Sequence, residues 1–127
     1  MKILGIDYGR KKIGLAIGDA KTKLAEPWQV LSSSKFKVQS SRLMKESNIE
    51  KVVIGVTGGR IDGEIKKFGE TLKKQDGVEV EFFDETLTTQ DAQRILLASG
   101  RKRKSRQEKE DAIAAAIMLE SYLDRLR

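Results

Sequence analysis

Three acidic positions far apart in the chain are the groups best able to do chemistry. Asp7 closes the short apolar run Lys2-Ile3-Leu4-Gly5-Ile6, Asp84-Glu85 closes the run Val78 to Phe83, and Asp111 follows a basic stretch near the C-terminus. The chain contains no His and no Cys. This excludes disulfides, thiolate nucleophiles, cysteine-based zinc or iron–sulfur sites and an imidazole general base. Catalysis must therefore use carboxylates, amines, hydroxyls or a borrowed metal. Carboxylates gathered at one sheet edge repel one another until a proton, a basic group or a divalent ion intervenes. An oxygen-only set suits Mg²⁺ or Mn²⁺, which take oxygen ligands in octahedral geometry. Each acid also has a structural explanation. Asp7 before Tyr8-Gly9 and Asp84 at a strand end can cap turns, Glu108 completes a capping box with Ser105, and Glu110 suits solvent, paired with Arg106. The set Asp7, Glu85 and Asp111 is more persuasive than any one of its members.

Positive charge is concentrated beside Asp111. The chain of 127 residues carries a formal charge of +6. Residues 101–110 alone hold six basic side chains (Arg101, Lys102, Arg103, Lys104, Arg106 and Lys109) against two acidic ones. Arg10, Lys11 and Lys12 lie in the connection after Asp7, and Arg60 lies in the Thr57-Gly58-Gly59-Arg60 loop. A charge run is often only a solvated loop, but its adjacency to Asp111 favours phosphate contacts next to an acidic centre. The backbone N–H groups of Thr57-Gly58-Gly59 offer a weaker phosphate signal, without P-loop spacing. Tyr8 and Trp28 are candidates for base stacking, with Trp28 better explained as core.

The elements that must position these groups follow from periodicity. Strands are predicted at Lys2 to Asp7, Ile13 to Gly18 and Trp28 to Leu31, the last after the single proline, Pro27. Ser32-Ser33-Ser34 precede a helix from about Phe36 to Ser47, with Phe36, Leu43 and Met44 on one face. The β-branched run Lys51 to Val56 predicts a buried strand, and Thr57 to Gly63 a loop. A helix follows from about Glu64 to Lys74, with Ile65, Phe68 and Leu72 on its apolar face and Asp76-Gly77 ending it. Val78 to Phe83 alternates as a strand. Thr88 or Thr89 caps a helix bearing Ala92, Ile95 and Leu96, which stops at Ser99-Gly100. The capping box Ser105 to Glu108 starts the last helix, placing Asp111 in its second turn, and Ala112, Ala116, Leu119, Leu123 and Leu126 form its apolar stripe. The pattern predicts one domain over residues 1–127. Its mixed sheet has antiparallel strands first, then parallel crossover units with helices packed on the sheet. No apolar run approaches the roughly 20 residues of a membrane span. The N-terminus enters a strand directly, without the features of a secretory signal, so the expected address is the cytoplasm.

Three blocks taken together resemble the YqgF (RuvX) family along the whole chain. They are Gly5-Ile6-Asp7-Tyr8-Gly9 with Lys12 to Asp19, then Asp84-Glu85-Thr86-Leu87-Thr88-Thr89, then Asp111 through Ala114-Ala115-Ala116-Ile117 to Tyr122-Leu123-Asp124. The resemblance implies a three-layer, ribonuclease H-like α/β fold with a five-stranded mixed sheet and helices on both faces. It also implies resolution of Holliday junctions or nucleolytic maturation of precursor small-subunit ribosomal RNA, with Asp7, Glu85 and Asp111 as the metal-binding carboxylates. Gly55-Val56-Thr57 stands where the family usually has Gly-Leu-Pro, and Glu120 where it often has Gln. The function expected is a Mg²⁺- or Mn²⁺-dependent endonuclease acting on precursor rRNA or branched DNA, as a monomer or a homodimer and without a membrane partner. The alternative is a nucleic-acid-binding module that keeps the fold and does not cut. An actin-like or sugar-kinase-like ATPase shares the core topology, but such enzymes clamp nucleotide between two domains and this chain has the length of one.

Overall fold

The structure is a computed structural model. It describes the backbone of residues 1–84 and 103–126, and the side chains of residues 1–84 and 109–126. The expected helix between Thr88 and Gly100 lies outside the described residues, as do Glu85, Arg101 and Lys102. Five strands, Lys2–Asp7 (β1), Lys12–Asp19 (β2), Leu24–Ser32 (β3), Ile49–Val56 (β4) and Glu79–Asp84 (β5), form one sheet in the order β3-β2-β1-β4-β5. β1 pairs antiparallel with β2 and parallel with β4, β2 pairs antiparallel with β3, and β4 pairs parallel with β5. The mixed order is the one expected, with the C-terminal ends of β1, β4 and β5 along one edge.

Three helices cover the two faces. Ser33–Glu46 (α1) and Asp62–Asp76 (α2) pack on one face, and Arg103–Asp124 (α3) on the other. Strand alternation makes the division. Leu4, Ile6, Ile13, Leu15, Val52 and Ile54 face Phe36 and Met44 of α1 and Ile65 and Leu72 of α2. Ile3, Ala16 and Val53 face Ala115, Met118, Leu119 and Leu123 of α3. Beyond Ile3, the positions of β1 and β2 that meet α3 most closely are small: Gly5, Gly14, Ala16 and Gly18. A Cβ on Gly5 would stand 3.0 Å from the Leu119 Cβ, and one on Gly18 would stand 2.8 Å from its Cδ2. The small residues early in α3 and the Gly/Ala-rich β2 thus bring helix backbone close to strand backbone.

Several boundaries differ from expectation for identifiable reasons. β3 runs from Leu24 through Pro27 because it is an edge strand, where the missing N–H costs no ladder bond, and its register slips opposite Leu15/Ala16. α1 starts at Ser33 because the Ser32 side chain accepts the Lys35 N–H at 3.2 Å. α2 starts at Asp62 and ends at Gly77, whose φ of 65° suits a residue without a side chain. α3 begins at Arg103, so Ser105 and Glu108 stand inside the helix instead of forming its cap, and Asp111 falls in the third turn. Leu126 does not continue the apolar stripe. The helix ends at Asp124, and Leu126 is 47% exposed. Tyr122 and Met118 are buried beside the expected Ala112, Ala116, Leu119 and Leu123. Among the described residues no helix is long and apolar enough to cross a membrane.

β5 is fastened to α3 by a polar cluster. The Tyr122 hydroxyl donates to Glu81 Oε2, and the Lys51 ammonium lies 2.9 Å from the same oxygen. The Tyr122 and Lys51 hydrogen bonds, in that order, hold the Glu81 carboxyl below its usual range against the opposing effect of burial. A carboxylate whose folded-state pKa is lowered contributes stability that is present above its unfolded value of about 4.3. That contribution is lost as pH falls through the lowered value. Replacing Glu81 with Gln is expected to leave a shallower loss of urea resistance between neutral pH and about pH 3. The effect is about 1 kcal/mol or less because the carboxylate is half exposed and solvent-screened. Urea midpoints at the two pH values measure it.

Candidate active site at the sheet edge

Gly14 brings the first and third acidic positions together. In the antiparallel β1–β2 ladder Asp7 stands directly opposite Gly14, and opposed residues direct their side chains to the same face. That face is the one covered by α3. A Cβ on Gly14 would lie 2.1 Å from the Asp111 carbonyl oxygen and 2.8 Å from the Asp111 Cβ. Opposed Cβ positions are about 4.5–5.5 Å apart, so the Asp7 and Asp111 Cβ atoms lie within roughly 8 Å of each other. Both residues are half-buried. α3 therefore rests its third turn on the bare backbone of Gly14, which fixes Asp111 beside the end of β1.

The second acidic position adjoins the same edge. Asp84 is the last residue of β5 and pairs with Val56 at the C-terminal end of β4, two strands from β1 and therefore about 10 Å away across the sheet. Phe83 packs with the α3-facing cluster, so Asp84 belongs to the opposite side of the pleat. Glu85 comes next in the chain, outside the described residues. Among the described residues no three acidic groups converge.

The basic positions distribute unevenly. Arg10, Lys11, Lys12 and Arg60 are exposed around this edge, as is Lys109 on α3. Arg103, Lys104 and Arg106 lie on the first turns of α3 with their side chains outside the described set. The Thr57–Arg60 loop differs from expectation. The N–H groups of Thr57 and Gly58 donate to Asp62 Oδ1 and Oδ2 at 3.1 and 2.7 Å, so a carboxylate of this chain already occupies the place a phosphate would take. Glu64 does similar work for the β1–β2 connection. Its Oε2 accepts the Tyr8 hydroxyl at 2.7 Å and its Oε1 accepts Arg10 Nε at 3.3 Å. The Tyr8 bond, with Arg10 assisting, holds the Glu64 carboxyl below its usual range. The sequence signal for both ties is a pair of acids in the first turn of α2, where the helix dipole favours negative charge.

Asp7 and Asp111 are hard oxygen donors on one face, a donor set compatible with Mg²⁺ or Mn²⁺ and unsuited to soft metals. Comparison with known proteins identifies relatives of the whole chain. The family model RuvX, described as Holliday junction resolvase, matches residues 1–125. The chain is 34% identical over 138 residues to a protein of Agathobacter rectalis named "Putative pre-16S rRNA nuclease", covering 99% of this chain and 96% of that one. It is 36% identical over 136 residues to a protein of the same name from Shouchella clausii, covering 98% and 96%. Among solved structures it shares its fold with the fowlpox virus resolvase in complex with Holliday junction DNA (TM-score 0.61, 19% identity, 99% of both chains). It also shares it with Thermus thermophilus RuvC in complex with a Holliday junction substrate (TM-score 0.58, 16% identity, 99% of this chain and 96% of that one).

Proposed function

The chain belongs to the RuvX family, and from that membership and the shared face of Asp7 and Asp111 we propose that it is a metal-dependent endonuclease acting on structured nucleic acid. The ribonuclease H-like fold, with helices on both sheet faces, accords with this. Asp7, Glu85 and Asp111 are the proposed ligands of a divalent ion, Mg²⁺ or Mn²⁺. When bound, such an ion supplies a lowered pKa for an attacking water and charge to balance the departing oxygen. The chain's own groups do the rest. Gly14 keeps the carboxylates of β1 and α3 adjacent, and Glu64 anchors Arg10 through the loop that follows Asp7. Arg10, Lys11, Lys12, Arg60 and the basic residues Arg101, Lys102, Arg103, Lys104, Arg106 and Lys109 hold the sugar–phosphate backbone. A surface that reads backbone serves DNA or RNA, so precursor 16S rRNA and four-way junction DNA are both substrates to test.

The observation that carries this reading is the Asp7–Gly14–Asp111 stack, which seats two carboxylates from opposite ends of the chain on one face of the sheet edge. The test is an assay of the purified chain on junction DNA and on a precursor 16S rRNA fragment, with and without Mg²⁺. Mg²⁺-stimulated cleavage of either supports the proposal. Tight binding with no cleavage in Mg²⁺ or Mn²⁺ supports the binding-module alternative. Affinity should fall with salt along a line whose log–log slope becomes shallower by about 0.9 for each phosphate contact removed. The Lys11→Ala/Lys12→Ala pair is expected to show this in anisotropy titrations between 50 and 200 mM salt.

A further inference from the structure

The sheet face opposite α3 carries a groove that the proposed chemistry leaves unused. It lies between α1 and α2 and encloses about 210 Å³, below the roughly 300–1,000 Å³ of pockets that take drug-sized ligands. Its walls carry Lys37 from α1 and Lys67 from α2, both exposed, and half-buried Glu64, whose carboxylate is tied to Tyr8 and Arg10. Phe68 and Tyr8, half-buried with ring centroids 4.8 Å apart, line its inner side. Gln75 offers an amide at the rim, and Thr71, whose hydroxyl donates to the Lys67 carbonyl at 3.0 Å, an acceptor oxygen. The wider surface is positive: α1 and α2 carry eight Lys and Arg side chains, all exposed, against five acidic ones, of which only Glu46 and Glu70 are exposed. Asp62, Glu64 and Asp76, the remaining acids of α2, are engaged by Thr57 and Gly58, by Tyr8 and Arg10, and by Ser41.

We infer that this groove binds single-stranded nucleic acid, with one base against Phe68 and Tyr8 and its flanking phosphates between Lys37 and Lys67. Charge complementarity decides the class of ligand, since cations on both walls of an aromatic slot match a π-faced base on an anionic backbone. The groove's position gives it a purpose. Tyr8 follows Asp7 directly, so the groove begins one residue, about 3.8 Å of chain, from the proposed cutting edge. A strand leaving that edge would cross the C-terminal end of β1 to reach the slot on the other face of the sheet. The inference extends the nuclease reading and rests on it for that path.

The test uses the full chain, a fluorescein-labelled 12-nucleotide oligo(U) RNA and the matching oligo(dT), with anisotropy read in the absence of Mg²⁺. Two charge-reversed pairs carry the same formal change, Lys37→Glu/Lys67→Glu in the groove and Lys73→Glu/Lys74→Glu outside it on the same helix. The expected result is a loss of affinity of about tenfold or more for the groove pair and less than about threefold for the other. Phe68→Leu, which removes the ring and keeps an apolar side chain, is expected to weaken binding about fivefold or more with thermal unfolding still cooperative. Equal losses in both charge-reversed pairs, or no loss in either, overturn the inference. A concentration-dependent dimer that only the groove pair breaks also overturns it, since a second copy then fills the slot. Asp7→Asn separates the two readings. It should bind the oligonucleotide as the unaltered chain does, and cleavage retained in that variant counts against the assignment of Asp7 alone.

Discussion

Replacing Asp7 with Asn is expected to lower the rate of Mg²⁺-dependent cleavage by about 10³-fold or more, with oligonucleotide affinity within about twofold of the unaltered chain. The amide keeps the size of the carboxylate, replaces one acceptor oxygen with a donor NH₂ group and removes the charge that would hold a divalent ion. The fold should not suffer. Asp7 is a half-buried strand end, whereas the neighbouring core contacts come from Ile3, Leu4 and Ile6, all of them fully buried. Asp111→Asn should reproduce the loss, because Gly14 seats both residues at one place. Single-turnover cleavage of junction DNA and precursor 16S rRNA, measured beside anisotropy and a thermal melt, separates chemistry from binding and from folding. Cleavage at the unaltered rate in Asp7→Asn removes this residue from the reaction.

Adding a single methyl group at Gly14 is expected to damage both the fold and the reaction. The Ala side chain of Gly14→Ala would stand 2.1 Å from the Asp111 carbonyl oxygen and 2.3 Å from its carbonyl carbon. These are backbone atoms, so no rotamer change relieves the clash and α3 itself must move away from β2. Overpacking of this kind costs about 3 kcal/mol. The fraction that still folds should cleave at least about 100-fold more slowly, since a displacement near 1 Å in a reacting group has an effect of that size. Gly5→Ala makes a useful comparison. It meets Leu119 Cβ at 3.0 Å and Ala115 O at 3.2 Å, farther along α3 from Asp111. It should therefore destabilise less and leave more of the rate per folded molecule. Urea titration gives the stabilities, and rates corrected for the folded fraction give the chemistry.

The difference between these two glycines shows what sequence patterning conveys and where it stops. Apolar periodicity identified all five described strands and their antiparallel-then-parallel order, because a strand buried on one or both faces leaves a pattern its neighbours cannot disguise. It misjudged the start of β3, since Pro27 reads as a break unless the strand is known to lie at an edge. The serine caps of α1 were legible, whereas Ser105 to Glu108 gave a false start for α3. A capping box is a local preference, and the helix extends two residues beyond it on the N-terminal side. Leu126 fits the stripe by spacing and lies beyond the helix end. At the candidate site Asp7 and Asp111 could be paired by position and by family resemblance, but Gly14 was visible only as part of a small-residue strand. Its contact with Asp111 joins residues nearly a hundred positions apart and leaves no local signature. The ties made by Asp62 and Glu64 were hidden for the same reason, and the groove between α1 and α2 exists only once both helices are packed.

The central claim is that Asp7, Glu85 and Asp111 form one divalent-metal site. Anomalous diffraction from crystals of the chain grown with Mn²⁺ tests it most directly. The account predicts an anomalous peak at the C-terminal edge of β1 with oxygens of all three carboxylates around it. A fully ordered edge with the three side chains turned apart, and manganese bound elsewhere or not at all, would contradict it.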